Sequence, residues 1–180
     1  MGPSLLLIGQ PGVGKTTIVR SVVASLGMKA GGFYTEEIRE HGRRTGFRVM
    51  SLDGTIGILA SVSVSGPYRV GKYCVHLDDL EQVGVSAVWE AVEHPDVSVV
   101  VIDEIGKMEL LSPAFRLAVL AALDSPKLVL ATAMARSEPW LDVVKARPDV
   151  TLMEVSRSNR EALPERILLW LLQKQEETVP

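Results

Sequence analysis

The chain predicts an α/β fold: a three-layer αβα sandwich on a mostly parallel central sheet, with an antiparallel hairpin insert. Three observations lead there. Short apolar, β-branched runs recur along the 180 residues, each followed by a stretch whose apolar residues repeat at helical spacing. A glycine-rich turn, GQPGVGKTT over residues 9–17, joins the first of those runs to the first of those stretches. One polar, turn-rich segment, carrying three extended runs of its own, interrupts the alternation.

Taken in order, residues 4–8 read as the first strand and 15–26 as the first helix. Residues 32–40 and 46–52 read as strands joined around His41-Gly42, and Asp53-Gly54 invites a second tight turn into 55–60. This antiparallel insert spans about 31–62. A helix follows over 77–93, where Leu80, Val83, Val88 and Val92 share a face. Strands at 97–102, 127–132 and 150–155 then alternate with helices at 112–123, 138–147 and 159–173. Ser112 before Pro113, Ser137 before Pro139, and Asn159 with Pro164 close behind mark the starts of the last three helices. Trp89, Trp140 and Trp170 fall within helical patterns among aliphatic residues and read as core packing, and Cys74 reads as a small packed side chain. No linker splits the chain, so residues 1–174 form a single domain and 175–180 a flexible tail.

Composition excludes several classes of function. A net charge of −3 gives no overall basic footprint for nucleic acid or an anionic membrane surface, and no apolar run approaches the roughly 20 residues that span a bilayer. One cysteine forms neither an intramolecular disulfide nor a multi-thiolate metal site, which fits a cytoplasmic setting. His41, His76 and His94 lack the spacing of zinc ligands.

Residues 9–16 match GxxxxGK[ST] in the context that gives the pattern meaning, after a strand and before a helix. Gly9, Gly12 and Gly14 let the backbone wrap an anion with its amides turned inward, and the helix N-terminus adds a positive dipole end. Gln10, Pro11 and Val13 complete the loop. Lys15 supplies a mobile charge for the β and γ phosphates, the Thr16 hydroxyl suits Mg²⁺, and Thr17 either reaches the α phosphate or caps the first turn.

The second acidic feature is the strand at 97–102, which ends in Asp103-Glu104 at the edge where open α/β sheets bind ligands. Asp103 is placed to support Mg²⁺ opposite Thr16, and Glu104 to orient or deprotonate a water aligned with the γ phosphorus. Lys107 and Glu109 follow closely enough to reach the γ phosphate or each other. Glu36 and Glu37 lie on opposite sides of an extended segment, so one of them at most is expected to face the site. Among Arg39, Arg43, Arg44, Arg48 and Arg69, one could neutralise charge on the leaving phosphoryl group, or all could be solvated charges on a hairpin edge.

GFYTEEIRE at 32–40, GRRTGFRV at 42–49, VGKYCV at 70–75, VIDEIGKMELLS at 101–112 and RPDVTLMEV at 147–155 together resemble a small nucleoside-triphosphatase family with archaeal, bacterial and animal members. The resemblance implies a P-loop NTPase αβα fold and slow, Mg²⁺-dependent hydrolysis of ATP, GTP, CTP and UTP with broad base specificity. It places the nucleotide contacts on Gly9–Thr16 and on Val99, Val100, Val101, Ile102, Asp103, Glu104, Ile105 and Gly106, with Glu104 as the catalytic carboxylate. The chain departs from the family where Ala131-Thr132-Ala133 stands in place of a Gly-Thr pair, and where Ser156 and Ser158 replace a threonine and an acidic residue. The same cradle would also serve a nucleotide or nucleoside kinase, or a nucleotide-dependent switch. The chain is expected to act as a monomer.

Overall fold

The computed structural model describes residues 1–178. Among these, nine strands form one sheet in the order β5-β6-β4-β3-β2-β7-β8-β1-β9. The strands are β1 (Ser4–Gly9), β2 (Ala30–Glu40), β3 (Arg43–Ser51), β4 (Ile56–Ser61), β5 (Arg69–Val70), β6 (Tyr73–Val75), β7 (Val99–Ile105), β8 (Leu128–Met134) and β9 (Val150–Glu154). The helices are α1 (Lys15–Ser25), α2 (Leu77–Asp79), α3 (Ser86–Glu93), α4 (Pro113–Asp124), α5 (Pro139–Lys145) and α6 (Leu163–Thr178), and a π-helical stretch, Leu80–Val85, joins α2 to α3.

Five neighbouring strands, β2, β7, β8, β1 and β9, run parallel. Their side chains alternate between two cores, as a sheet covered on both faces requires. Leu5, Leu7, Val99, Val101, Leu128 and Leu130 pack against Ile18, Val19 and Val22 of α1 and Ile167 and Leu171 of α6. Leu6, Val100, Ile102, Val129 and Ala131 pack on the other face against Val88, Phe115, Val119 and Leu141 from α3, α4 and α5. Each fully buried aliphatic side chain of this kind contributes about 1.5–3 kcal/mol.

The antiparallel segment is a continuation of this sheet. Residues Ala30 to Tyr34 of β2 pair in parallel with β7, and beyond Tyr34 the strand pairs only with β3, so the hairpin projects past the parallel strands. One strand therefore serves both parts, a pairing that local pattern cannot show. The hairpin turn falls where expected, His41 and Gly42 both taking positive φ, of 49° and 77°. The Asp53-Gly54 turn also forms, with Gly54 at φ 101°.

Four other expectations change. Glu138 caps α5, its carboxylate accepting from Leu141 N at 2.8 Å, while Ser137 turns to Asp142 instead. Asn159 ties down the loop before α6, accepting from Ser156 N and donating to Glu154 O, and the helix itself begins at Leu163. It then runs to Thr178, so the segment expected as a tail is largely helical; residues 179 and 180 lie outside the described chain. Trp89 is exposed, because Ala87, Val88 and Ala91 form the buried face of α3 and leave it on the outside. Cys74 is buried, as expected.

Ser112 caps α4, accepting from Phe115 N at 3.0 Å, and also donates to Glu81 at 2.6 Å, which links α4 to the π-helical stretch. Ser112→Ala removes both bonds, and a lost cap costs about 1–2 kcal/mol. A fall of that size in urea-induced unfolding is the expected result.

Candidate active site

The C-terminal ends of β1, β7 and β8 lie side by side, and the chain places its charged residues along that edge. Gly9 closes β1, and the loop then turns through Gly12 and Gly14 at φ 76° and 110°, a conformation in which a side chain is strained. Gly14 is the residue before α1, and its carbonyl accepts from Ile18 N to start the helix. The result is a concave run of backbone aimed at the helix N-terminus, where anions are favoured.

Lys15 opens α1 and is only 5% exposed. Its ammonium donates to Gly9 O at 3.1 Å and lies 3.3 Å from Glu104 Oε2. Thr16 and Thr17 line the cleft just beyond it.

Asp103 is fully buried at the end of β7. Its Oδ1 accepts from the Thr132 hydroxyl at 2.5 Å, and its Oδ2 has no hydrogen-bond partner among the described residues. Burial raises its carboxyl to about 6, opposed by the Thr132 and Thr16 hydroxyls; the charge of Glu104 adds to the rise and that of Lys15 works against it. Glu104 is partly open to solvent, at 31% side-chain exposure. Val99, Val100, Val101, Ile102 and Ile105, expected as nucleotide contacts, are buried in the two cores. Their side chains set the strand that presents Asp103 and Glu104.

Beyond β7 the chain folds back through a 3₁₀ turn, Glu109–Leu111. Glu109 is only 5% exposed. Burial raises its carboxyl to about 8, with the charges of Glu104 and Asp103 adding to the rise and the backbone amides of Glu109 and Gly106 opposing it. Lys107 stays exposed on the cleft wall, without an ion pair among the described residues. The two therefore do not pair, because the turn sends one inward and the other outward.

A cleft of about 700 Å³ opens over this edge, from Pro11 and Gly12 on one side to the β2–β3 hairpin on the other. Both Glu36 and Glu37 line it. They do point to opposite faces, Glu36 pairing with Arg20 of α1 and with Arg48, and Glu37 with Arg39 and Arg44. The cleft takes in both because the hairpin projects past β7 and exposes its two faces. Glu109 and Thr132 carry roles that spacing alone left unseen. Thr132 meets Asp103 because β8 neighbours β7, with Ala131 opposite Ile102.

The oxygens at Thr16 and Asp103 suit a hard divalent cation. A buried carboxylate oxygen without a partner is an acceptor awaiting a proton, a donor or a metal. Among the described residues no group of three or more His, Cys, Asp and Glu could hold a metal, so an ion here would take its remaining ligands from phosphate and water.

A glycine-rich turn wrapped around a helix N-terminus, with an acidic strand end facing it in a parallel αβα sheet, defines a P-loop nucleoside-triphosphatase. The sequence profile of the NTPase family matches residues 4–168. Nucleoside-triphosphatase THEP1 of Thermotoga sp. strain RQ2 is 48% identical over 164 residues, covering 91% of this chain and 92% of its own. That of Thermofilum pendens is 49% identical over 170 residues, covering 91% and 92%. The crystal structure of THEP1 from Aquifex aeolicus superposes with a TM-score of 0.84 at 36% identity, covering 93% of this chain and 98% of that one. The solution structure of a human cancer-related nucleoside triphosphatase gives 0.82 at 38%, covering 94% and 97%. The chain belongs to the THEP1 nucleoside-triphosphatase family and is an enzyme that hydrolyses nucleoside triphosphates.

Glu109 makes the apoprotein sensitive to pH. Its folded pKa lies above the ordinary carboxylate value, so its contribution to stability is fully present below about pH 4.5 and is lost as pH rises through about 8. One such group tilts stability by at most about 1.4 kcal/mol per pH unit. Urea midpoints of the nucleotide-free protein are expected to fall between pH 5 and 8.5, and Glu109→Gln to flatten that fall.

Proposed function

We propose that triphosphates are cleaved in the cleft over residues 9–17, with Mg²⁺ held by Thr16 and Asp103 and with Glu104 orienting the attacking water. The observation that carries this reading is the Lys15–Glu104 ion pair at 3.3 Å, set beside the fully buried Asp103.

Without nucleotide, the Lys15 ammonium is shared between Glu104 and the Gly9 carbonyl. A triphosphate brings several negative charges to the same ammonium, so Lys15 transfers its attraction to the β and γ phosphates. Glu104 is thereby released while still next to the γ end. Being open to solvent, it can accept a hydrogen bond from a water and align that water with phosphorus. Backbone N–H groups within residues 9–16, Pro11 having none, hold the chain of phosphates, and Thr17 faces the α end. When bound, Mg²⁺ neutralises charge on the β and γ oxygens. Lys107 offers a second ammonium from the cleft wall.

Two features support slow turnover and a broad choice of base. Arg39 and Arg44 are engaged by Glu37 and Arg48 by Glu36 on the β2–β3 hairpin, and Arg69 of β5 donates to the Lys72 carbonyl. An arginine placed on the γ phosphoryl group is worth about 10³–10⁵ in rate, and lacking one leaves hydrolysis slow. At the other end, the loop after β9 lies against the cradle, with Val155 N bonded to Ile8 O. Three of its polar side chains bond within their own segment: Ser156 bonds Ser158, and Asn159 bonds Ser156 and Glu154. A base arriving there meets few donors and acceptors able to read its edge. We infer a cytoplasmic enzyme built as one domain on one continuous sheet.

Glu104→Gln is expected to lower phosphate release by about 10²–10⁴-fold. Nucleotide affinity is retained or tightened in that variant, since Lys15 loses its competing partner. Fluorescent-nucleotide titration beside a phosphate-release assay checks both, and wild-type turnover in the variant sinks the assignment. Chelating divalent cations is expected to stop wild-type turnover, and added Mg²⁺ to restore it.

A further inference from the structure

We propose that the hairpin side of the cleft is a second ligand site, built for a phosphomonoester carrying a flat aromatic ring, of which a nucleoside monophosphate is the type. The proposal rests on the phosphate-cradle reading above, because that reading assigns the other half of the cleft to the triphosphate.

Sheet order separates the halves. The loop of residues 9–17 leaves β1, and β1 lies between β8 and β9. On the β9 side the next loop packs against the cradle, with the Arg160 stem beside Gly14. The opposite direction, across β8 and β7, leads to Glu104 and then to β2 and β3. A triphosphate whose γ end meets Lys15 and Glu104 therefore extends its nucleoside toward β9. The hairpin half remains beyond the γ phosphate, on the far side of Glu104 and Lys107. The whole cleft measures about 700 Å³, in the range of pockets that enclose a small-molecule ligand.

The lining of the hairpin half has two parts. Phe47, Leu59 and Val70 give an apolar wall. Beside it stand two guanidinium groups that share one carboxylate: Arg39 donates to Glu37 Oε2 at 2.6 Å and Arg44 to Glu37 Oε1 at 2.7 Å. Two cations on one anion leave a local excess of positive charge at this end of the cleft, away from the carboxylate of Glu104.

Arg44 is held in place on several sides. Its Nε donates to the Tyr73 hydroxyl at 2.9 Å, and its guanidinium carbon lies 5.1 Å from the Phe47 ring centroid and 5.8 Å from that of Tyr73. Its Nη2 makes no hydrogen bond among the described residues. A fixed planar fork with an open donor suits a phosphate oxygen, and the neighbouring Phe47 ring suits an aromatic face. The Glu37 carboxylate opposes an anion and holds the fork open for it, so a monoanion or dianion fits better than a polyphosphate. None of these residues takes part in the phosphate cradle.

The test uses the full chain saturated with Mg²⁺ and a non-hydrolysable ATP analogue, so that the cradle is occupied. AMP, GMP, CMP and UMP are titrated in by calorimetry, with inorganic phosphate and adenosine as further arms. The expected result is one additional equivalent of monophosphate, with phosphate alone and adenosine alone each binding more weakly. Arg44→Ala and Arg39→Ala are each expected to weaken the monophosphate by about tenfold or more. Arg39 is a largely exposed side chain whose removal leaves the core intact, which guards against misfolding of the Arg44 variant. In turnover assays the monophosphate is expected to act noncompetitively with ATP.

Three results overturn the proposal: no second equivalent, affinities unchanged in both variants, or displacement of the monophosphate by the triphosphate analogue. Binding of inorganic phosphate as tight as that of the monophosphates overturns the aromatic part. If the triphosphate analogue itself fails to bind, or binds unchanged in Lys15→Ala, the cradle reading fails instead, and the two failures are told apart.

Discussion

The end of β7 concentrates negative charge in a place that the rest of the fold keeps dry. Asp103 has no exposure, Glu109 very little, and Glu104 stands between them in sequence. Burying carboxyl groups together is unfavourable unless some are protonated or compensated. The molecule uses both answers. Burial pushes Asp103 and Glu109 upward, and Lys15 approaches to 3.3 Å from Glu104, an attraction of about 5 kcal/mol at an effective dielectric constant near 20, before desolvation is subtracted. Thr132 supplies a donor to Asp103 from the neighbouring strand.

That tension explains why the apoprotein is poised for its substrate. The positive cradle and the acidic strand end satisfy each other imperfectly, leaving one Asp103 oxygen without a partner. In the proposed mechanism a triphosphate with its cation supplies both missing charges at once: anions for the loop and Lys15, and a cation for the acidic edge. Under that mechanism, affinity and catalysis arise from the same exchange of partners, because the carboxylate displaced from Lys15 is the one assigned to the γ end.

The hairpin takes its importance from where it is attached. Since β2 pairs with β7 through Tyr34, Thr35 to Glu40 extend directly from the edge that carries Asp103 and Glu104. The ion pairs along it are half exposed, and surface pairs of this kind contribute about 0–1 kcal/mol each to stability. Their effect lies in orientation, since Glu37 and Tyr73 hold Arg44 against the ring of Phe47.

Local chemistry was written plainly in the sequence. The glycines, lysine and threonines of 9–17 need only short-range geometry to form a cradle, and the branched run into Asp103-Glu104 needs only its own periodicity to be a buried strand ending in acid. The parallel strands, the Ser112 cap and both tight turns follow from the same local rules. What required the tertiary structure was everything set by which strands become neighbours. Thr132 meets Asp103 only because β8 lies beside β7, and Glu36 and Glu37 share a cleft only because the hairpin runs past β7. The loop after β7 reads as a row of charges in sequence, yet packing buries Glu109 and exposes Lys107. Strand order and burial are decided by contacts between residues far apart along the chain, and spacing within one segment carries no information about them.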